Sequence, residues 1–211
     1  MLTPESMSSP SGKTFAEEYS PAFERKAVMS EALLIEHCSP TLAGIKTANL
    51  FSCPFHADSE IFAFVRTVNR LLNGKGLRIL PLRKTASHVL FYVFRPALLK
   101  RDLGQEDAAA LLRERGYSPE NPDRCIARLA KRLKESEAFP HEIGLFLGYP
   151  PEDVRGFIEN GPRSCKLSGC WKVYGDAEAA RKQFERFSKC RRIYRSLLGK
   201  GRTVENLTVR T

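Results

Sequence analysis

LRILPLRKTASHVLFYVFR, residues 77–95, decides how the rest of the chain is read. Two apolar-rich runs, LRILPLR (77–83) and HVLFYVFR (88–95), flank the polar KTAS, which is the pattern of two strands joined by a short turn. Pro81 has no N–H for a ladder, so the first strand belongs at a sheet edge or a bulge. TANLF (47–51) reads as another short strand, and the aromatic GCWKVYG (169–175) as a further one.

The remaining chain reads as helix. Pro21 to His37 carries Phe23, Ala27, Val28, Leu34 and Ile35 at helical spacing. It is expected to stop at CSP (38–40), because a residue before proline disfavours helix. Asp58 or Ser59 caps a helix through Ile61, Phe62, Val65, Val68 and Leu72 that ends at Gly74. Helix resumes after Pro96, with Ala108 to Arg115 stopped by Gly116. Another, from Pro122 to about Glu137, places Ile126, Leu129, Ala130 and Leu133 on one face. A long helix runs from its cap Asp176 to Leu198 and is closed by Gly199.

Few strands, many helices and no regular βαβ alternation imply an α+β fold. The expected architecture is a single domain, residues 21–199, with a small, mostly antiparallel sheet of about 3–5 strands packed with several helices and a long C-terminal helix. Residues 1–20, rich in Ser, Pro and Glu, read as a disordered tail, and 200–211 as a flexible basic one.

With 42% hydrophobic residues in 211, the chain can bury a substantial core. It has no apolar run of about 18 residues, so no helix is expected to span a membrane. The opening stretch has no apolar segment of a secretory signal, so a cytoplasmic chain with six reduced cysteines is expected. The net charge of +10 is concentrated. Residues 181–202 hold nine of the 34 basic side chains and one of the 24 acids, leaving 25 against 23 elsewhere. A generally nucleic-acid-binding surface would spread its charge more widely.

HEIGLFLGYP (141–150) is the most particular stretch. Pro140 suits the first position of a helix, Glu142 its first turn, and Gly148 a left-handed end. Gly144 and Gly148 clear one face for a close neighbour. PPEDV repeats the start signal for a second helix, making a hairpin. His141 has two readings, a structural imidazole or an acid–base group, and lacks the second His that a zinc-protease helix requires.

Cys38, Cys53 and His56 are zinc-ligand types with one suitable gap, CPFH. Two tight pairs are missing, so a buried thiol beside a loop His is the preferred reading and no metal is assigned. The loose Cys165–Cys170 pair has no His near it. Cys38 is alternatively a nucleophile served by His88 or His141. The following PTLAGIK offers backbone N–H groups near Gly44, and Lys46 to neutralise an anion.

In the C-terminal helix, Ala180, Phe184, Phe187, Cys190, Tyr194 and Leu198 share one arc at about 100° per residue. Arg191 falls inside that arc. A buried guanidinium needs an anionic partner, either a carboxylate of the chain, the preferred reading, or a bound anion.

CSPTLAGIKTANLFSC (38–53), FPHEIGLFLGYPPEDVRGFIENG (139–161), GCWKVYGD (169–176) and KCRRIY (189–194) together resemble the family called domain of unknown function 3793. The resemblance covers roughly residues 30–198. It implies a bacterial protein, mainly of anaerobic Firmicutes, without an assigned activity or catalytic residues to carry over.

The function expected from these readings is binding of a small anionic ligand or cofactor where CSPTLAGIK, HEIGLFLGYP and GCWKVY converge. Thr41, Gly44, Lys46, Glu142, Tyr149, Trp171, Lys172 and Arg191 are its candidate ligand-binding residues. Cys38 and His141 are its candidates for thiol or acid–base chemistry. The cofactor, the oligomeric state and whether the protein is an enzyme stay undetermined. Two other classes compete: a nucleic-acid-binding module using residues 181–202, with Tyr194 and the arginines facing phosphates, and a non-catalytic interaction or regulatory protein.

Overall fold

Side-chain alternation in β3 (His88–Phe94) organises the molecule. In the computed structural model, which describes residues 29–136 and 139–210, Val89, Phe91 and Val93 join one apolar cluster while Leu90, Tyr92 and Phe94 pack with another. β3 is the central strand, antiparallel to β1 (Ala48–Pro54) on one side and β2 (Arg78–Lys84) on the other. Covered on both faces, it has no solvent side to require polar alternation, hence the unbroken apolar run. Pro81 has both expected consequences. β2 is an edge strand, and its register slips between Pro81 and Arg83.

One cluster packs the sheet against α1 (Glu31–Leu42), α2 (Asp58–Leu72) and the long α8 (Ala177–Gly199). On the opposite face lie α3 (Pro96–Leu103), α4 (Glu106–Glu114), α5 (Pro122–Glu135), the short α6 (Ile143–Phe146) and α7 (Pro151–Asn160). A separate two-stranded hairpin, β4 (Leu167–Ser168) and β5 (Lys172–Val173), precedes α8. The fold is α+β, with a small antiparallel sheet and a long C-terminal helix. Among the described residues no helix is long and apolar enough to cross a membrane.

Several expected boundaries move. The tail expected over 1–20, and the part of the first helix before residue 29, lie outside the described residues. α1 starts at Glu31 and continues through Pro40 instead of stopping at it. Proline is tolerated there because only the last turn follows, and the Pro40 carbonyl then accepts the N–H groups of Ile45 (3.0 Å) and Lys46 (3.2 Å). Phe62, expected inside α2, is exposed, while Ile61, Val68 and Leu72 are buried. Pro140 does not open a helix. Residues 140–142 form a tight turn with Ile143 N–H on the Pro140 carbonyl, and α6 has four residues. The GCWKVYG strand shrinks to Lys172–Val173. Asp176 caps α8 as expected, accepting from Glu178 N–H (2.9 Å) and Ala179 N–H (3.0 Å). The left-handed residue beyond α8 is Gly201, not Gly199.

Residues 200–210 do not run off as a free tail. α9 (Val204–Leu207) docks beside α1, and Val209 N–H reaches the Leu42 carbonyl at 3.0 Å. Arg95, directly after β3 and fully buried, holds this region together. Its guanidinium donates to the carbonyls of Thr41 (2.6 Å), Leu42 (2.7 Å), Lys75 (3.2 Å) and Val209 (2.8 Å). The fork of donors meets the carbonyls at the end of α1, where the helix dipole favours a cation.

Candidate functional site

The turn that ends α1 aims Lys46. Gly44 takes a left-handed φ of 72°, and the two N–H bonds to the Pro40 carbonyl fold residues 43–46 back over the helix end. Lys46 is thereby carried into a cleft of about 260 Å³. Its walls come from four places: Ile45–Thr47, the α3–α4 junction (Arg101, Asp102, Gln105), the α6–α7 connection (Gly148–Pro151), and Gln183 and Phe187 of α8.

Gly148 lets two of these walls approach closely. Its φ is 75°, and a Cβ there would lie 2.7 Å from the Thr47 hydroxyl oxygen. The Thr47 hydroxyl in turn donates to Asp102, whose other carboxylate oxygen accepts two bonds from Arg101 (2.8 and 2.9 Å). Asp102 is therefore saturated within the cleft wall.

Beside it stands an aromatic stack. The Tyr149 ring lies against Trp171 at 4.8 Å, and Phe184 meets Trp171 edge-on at 4.5 Å. Asp153, 3% exposed, pins Trp171 through its indole N–H (2.7 Å) and accepts the backbone N–H groups of Tyr174 (2.7 Å) and Gly175 (2.8 Å). The small hairpin is thus fixed to α7, and Tyr149 is fixed between it and Lys46.

Lys46 is 8% exposed and stands 5.1 Å over the Tyr149 ring. Among the described residues it makes no salt bridge. Burial lowers its pKa to about 8; Cys170 and Cys38 act in the opposite direction, and Arg191 adds to the lowering. Arg191 lies one turn beyond Phe187 on α8, and its Nε is buried without a hydrogen-bond partner among the described residues. The carboxylate expected to pair with Arg191 is not found among the described residues; Glu36 on the facing α1 pairs with Arg195.

The three expected segments do meet, but through Lys46, Tyr149 and Trp171, not through Cys38 and His141. Cys38 is fully buried in the α1–α8 cluster, and burial pushes its thiol far up, away from a nucleophilic thiolate. His141 is exposed on the other side of the sheet, edge-on to Phe157 at 4.8 Å. Glu142 is buried on that side too, accepting from the Tyr117 hydroxyl (2.8 Å) and pairing with Arg132 (3.0 Å). Thr41 spends its hydroxyl on Asn49 (2.7 Å), Gly44 supplies the turn, and Lys172 bonds Ser168 (2.9 Å) at the hairpin. Cys53 is buried and His56 exposed; among the described residues no group of three His, Cys, Asp or Glu is placed for a metal ion. Tyr194 is buried, as its place in the apolar arc predicts, and donates to the Leu207 carbonyl (2.8 Å), so it does not face outward as the nucleic-acid alternative required.

Thr47, Arg101, Asp102 and Gln183 were not among the candidates. Each is an ordinary polar residue in an ordinary helix or strand end, and only the cleft distinguishes it. Asp153 had a signal of another kind: in PPEDV it reads as a first-turn helix acid, and its carboxylate instead reaches back to the hairpin.

An α+β domain with a polar cleft and an aromatic wall is the class that this geometry defines. The family model described as protein of unknown function (DUF3793) matches residues 34–208, and the chain belongs to that family. No curated protein and no solved structure matches it.

Proposed function

We propose that this protein binds a small anionic ligand, a carboxylate or phosphate, in the cleft walled by Lys46, Thr47, Gly148 and Tyr149. The observation that carries the reading is Lys46 itself. A lysine nine-tenths buried with no carboxylate partner among the described residues leaves a desolvated charge uncompensated, which is costly. A ligand anion at about 4 Å would return a few kcal/mol at an effective dielectric near 20. Arg191, whose buried Nε has no hydrogen-bond partner among the described residues, adds positive potential, while Arg101 and Asp102 neutralise each other.

Trp171 is the chain's one tryptophan and stacks on the cleft wall, so its fluorescence reports occupancy. Titration with phosphate and with oxalate should shift that emission and raise Tm saturably. Lys46→Met and Arg191→Met should each weaken the effect about tenfold or more. Failure of every small anion to move either signal would refute the reading.

A second reading keeps the basic face of α8 as a nucleic-acid surface. Arg181, Arg186, Lys189 and Arg192 are exposed there and form no ion pair among the described residues. A solvated charge row costs nothing to maintain, however, and is more often a solubilising face. Gel shifts at low and high salt discriminate, since phosphate contacts weaken steeply with ionic strength.

A further inference from the structure

We infer that Lys46 is a carbonyl-capturing amine, which condenses with the aldehyde or keto group of a small anionic carbonyl compound to form an imine inside the cleft. The inference rests on the anion-binding reading and specifies the ligand's reactive group.

The geometry carries it in three ways. A buried lysine is ordinarily held by a carboxylate, which keeps the nitrogen protonated and its lone pair occupied. Lys46 has no such partner among the described residues. The carboxylate that lines the cleft, Asp102, is consumed by the Thr47 hydroxyl and the Arg101 guanidinium. Second, the groups around Lys46 disfavour its charge on balance. Burial is the largest effect and Arg191 acts with it, against the opposing thiols Cys170 and Cys38, so the free amine is populated near neutrality. Third, the Tyr149 ring flanks the nitrogen and is backed by Trp171, a flat apolar wall that suits a planar imine. Arg191, close enough to Lys46 to act on its charge, adds positive potential behind the cleft wall for the ligand's anionic end.

The step balances without a further reactant. The neutral amine's lone pair attacks the carbonyl carbon, forming the C–N bond, and the π pair moves to oxygen. Both amine protons then leave with that oxygen as water, and C=N remains. Nothing is oxidised or reduced.

The full chain is treated with limiting glyoxylate and cyanoborohydride, and the carboxymethylated lysines are mapped by mass spectrometry. Lys46 should be modified about tenfold faster than Lys182 and Lys189 on the exposed face of α8, because its lone pair is available near neutrality. The rate should saturate with glyoxylate and fall when oxalate is added. Lys46→Arg should remove the label while circular dichroism shows the fold intact. If oxalate still raises Tm but Lys46 is labelled no faster than the exposed lysines, the imine inference is overturned and the cleft reading survives. If oxalate neither binds nor protects and Lys46 is unlabelled, both fall. Equal labelling by acetaldehyde and glyoxylate would overturn the anionic part of the assignment.

Discussion

The Lys46 ammonium stands 5.1 Å above the centroid of the Tyr149 ring, and that ring stacks on Trp171 at 4.8 Å. This relation joins the end of α1, the α6–α7 connection and the β4–β5 hairpin. A cation over an aromatic face gains about 0.5–2 kcal/mol, which does not offset the loss of hydration of a buried ammonium. The free protein therefore carries a destabilised charge at the cleft.

Lys46→Met should stabilise the free protein by roughly 1–3 kcal/mol while weakening anion binding about tenfold or more, since a desolvated charge is exchanged for an apolar side chain of similar length. The gain should depend on pH. Burial lowers Lys46 from 10.5 to about 8, so between these values the folded chain binds fewer protons than the unfolded one. The penalty is fully present below about pH 8 and disappears as the pH rises towards 10.5. Buried thiols and phenols such as Cys53 and Tyr194, which burial raises to about 11 and about 12, act with the opposite sign in the alkaline range. The difference in unfolding free energy between variant and parent, measured by urea denaturation from pH 7 to 10.5, isolates Lys46. A gain that did not shrink with pH would contradict the account.

Gly148→Ala tests the contact between the α6–α7 connection and Thr47, the residue leading into β1. The residue is left-handed and the new methyl would fall 2.7 Å from the Thr47 hydroxyl oxygen and 3.2 Å from Asp102. Backbone strain and loss of the Thr47–Asp102 bond together should cost about 2–4 kcal/mol. Thermal unfolding measures it, and a neutral outcome would show that the cleft wall yields.

Asp153→Asn should cost about 2–4 kcal/mol, because the carboxylate accepts three donors and an amide nitrogen would oppose the Trp171 N–H or a backbone N–H. Trp171 emission should move to longer wavelength as the hairpin loosens. Retention of both stability and emission would mean that the hairpin is held by stacking alone.

Arg95→Met should be among the most destabilising substitutions, at about 3–5 kcal/mol, since it strands four carbonyls at once. Lys is not expected to rescue it, because one ammonium lacks the planar fork. Limited proteolysis should then cut first within residues 203–210, where Val209 has lost its tie. Cleavage elsewhere first would assign Arg95 a different role.

The strand pair at 77–95 was legible because its signal is local: apolar residues in short runs, a polar turn, and a proline with one tolerable place in a sheet. The Asp176 cap and the apolar arc of α8 were legible for the same reason. Pro40 misled, since a proline penalises helix only where turns must follow, and here one turn sufficed. Residues 200–210 misled because their anchor, Arg95, is more than a hundred positions away. Arg191 stood out as a cation in an apolar arc, but whether a carboxylate met it depended on the neighbours that packing brought, and no salt bridge to it forms among the described residues.

Sequence by itself determined the α+β class, the strand pair with its edge proline and the segments worth watching, because hydrophobic period, turn chemistry and caps act over a few residues. Tertiary structure alone decided which of those residues share a cleft. Cys38 and His141 ended on opposite faces of the sheet, while Lys46, Tyr149 and Trp171 were brought together. The physical reason is that desolvation and pairing are properties of a place in the folded molecule. No spacing along the chain states whether a lysine will be buried, or whether an acid will be there to meet it.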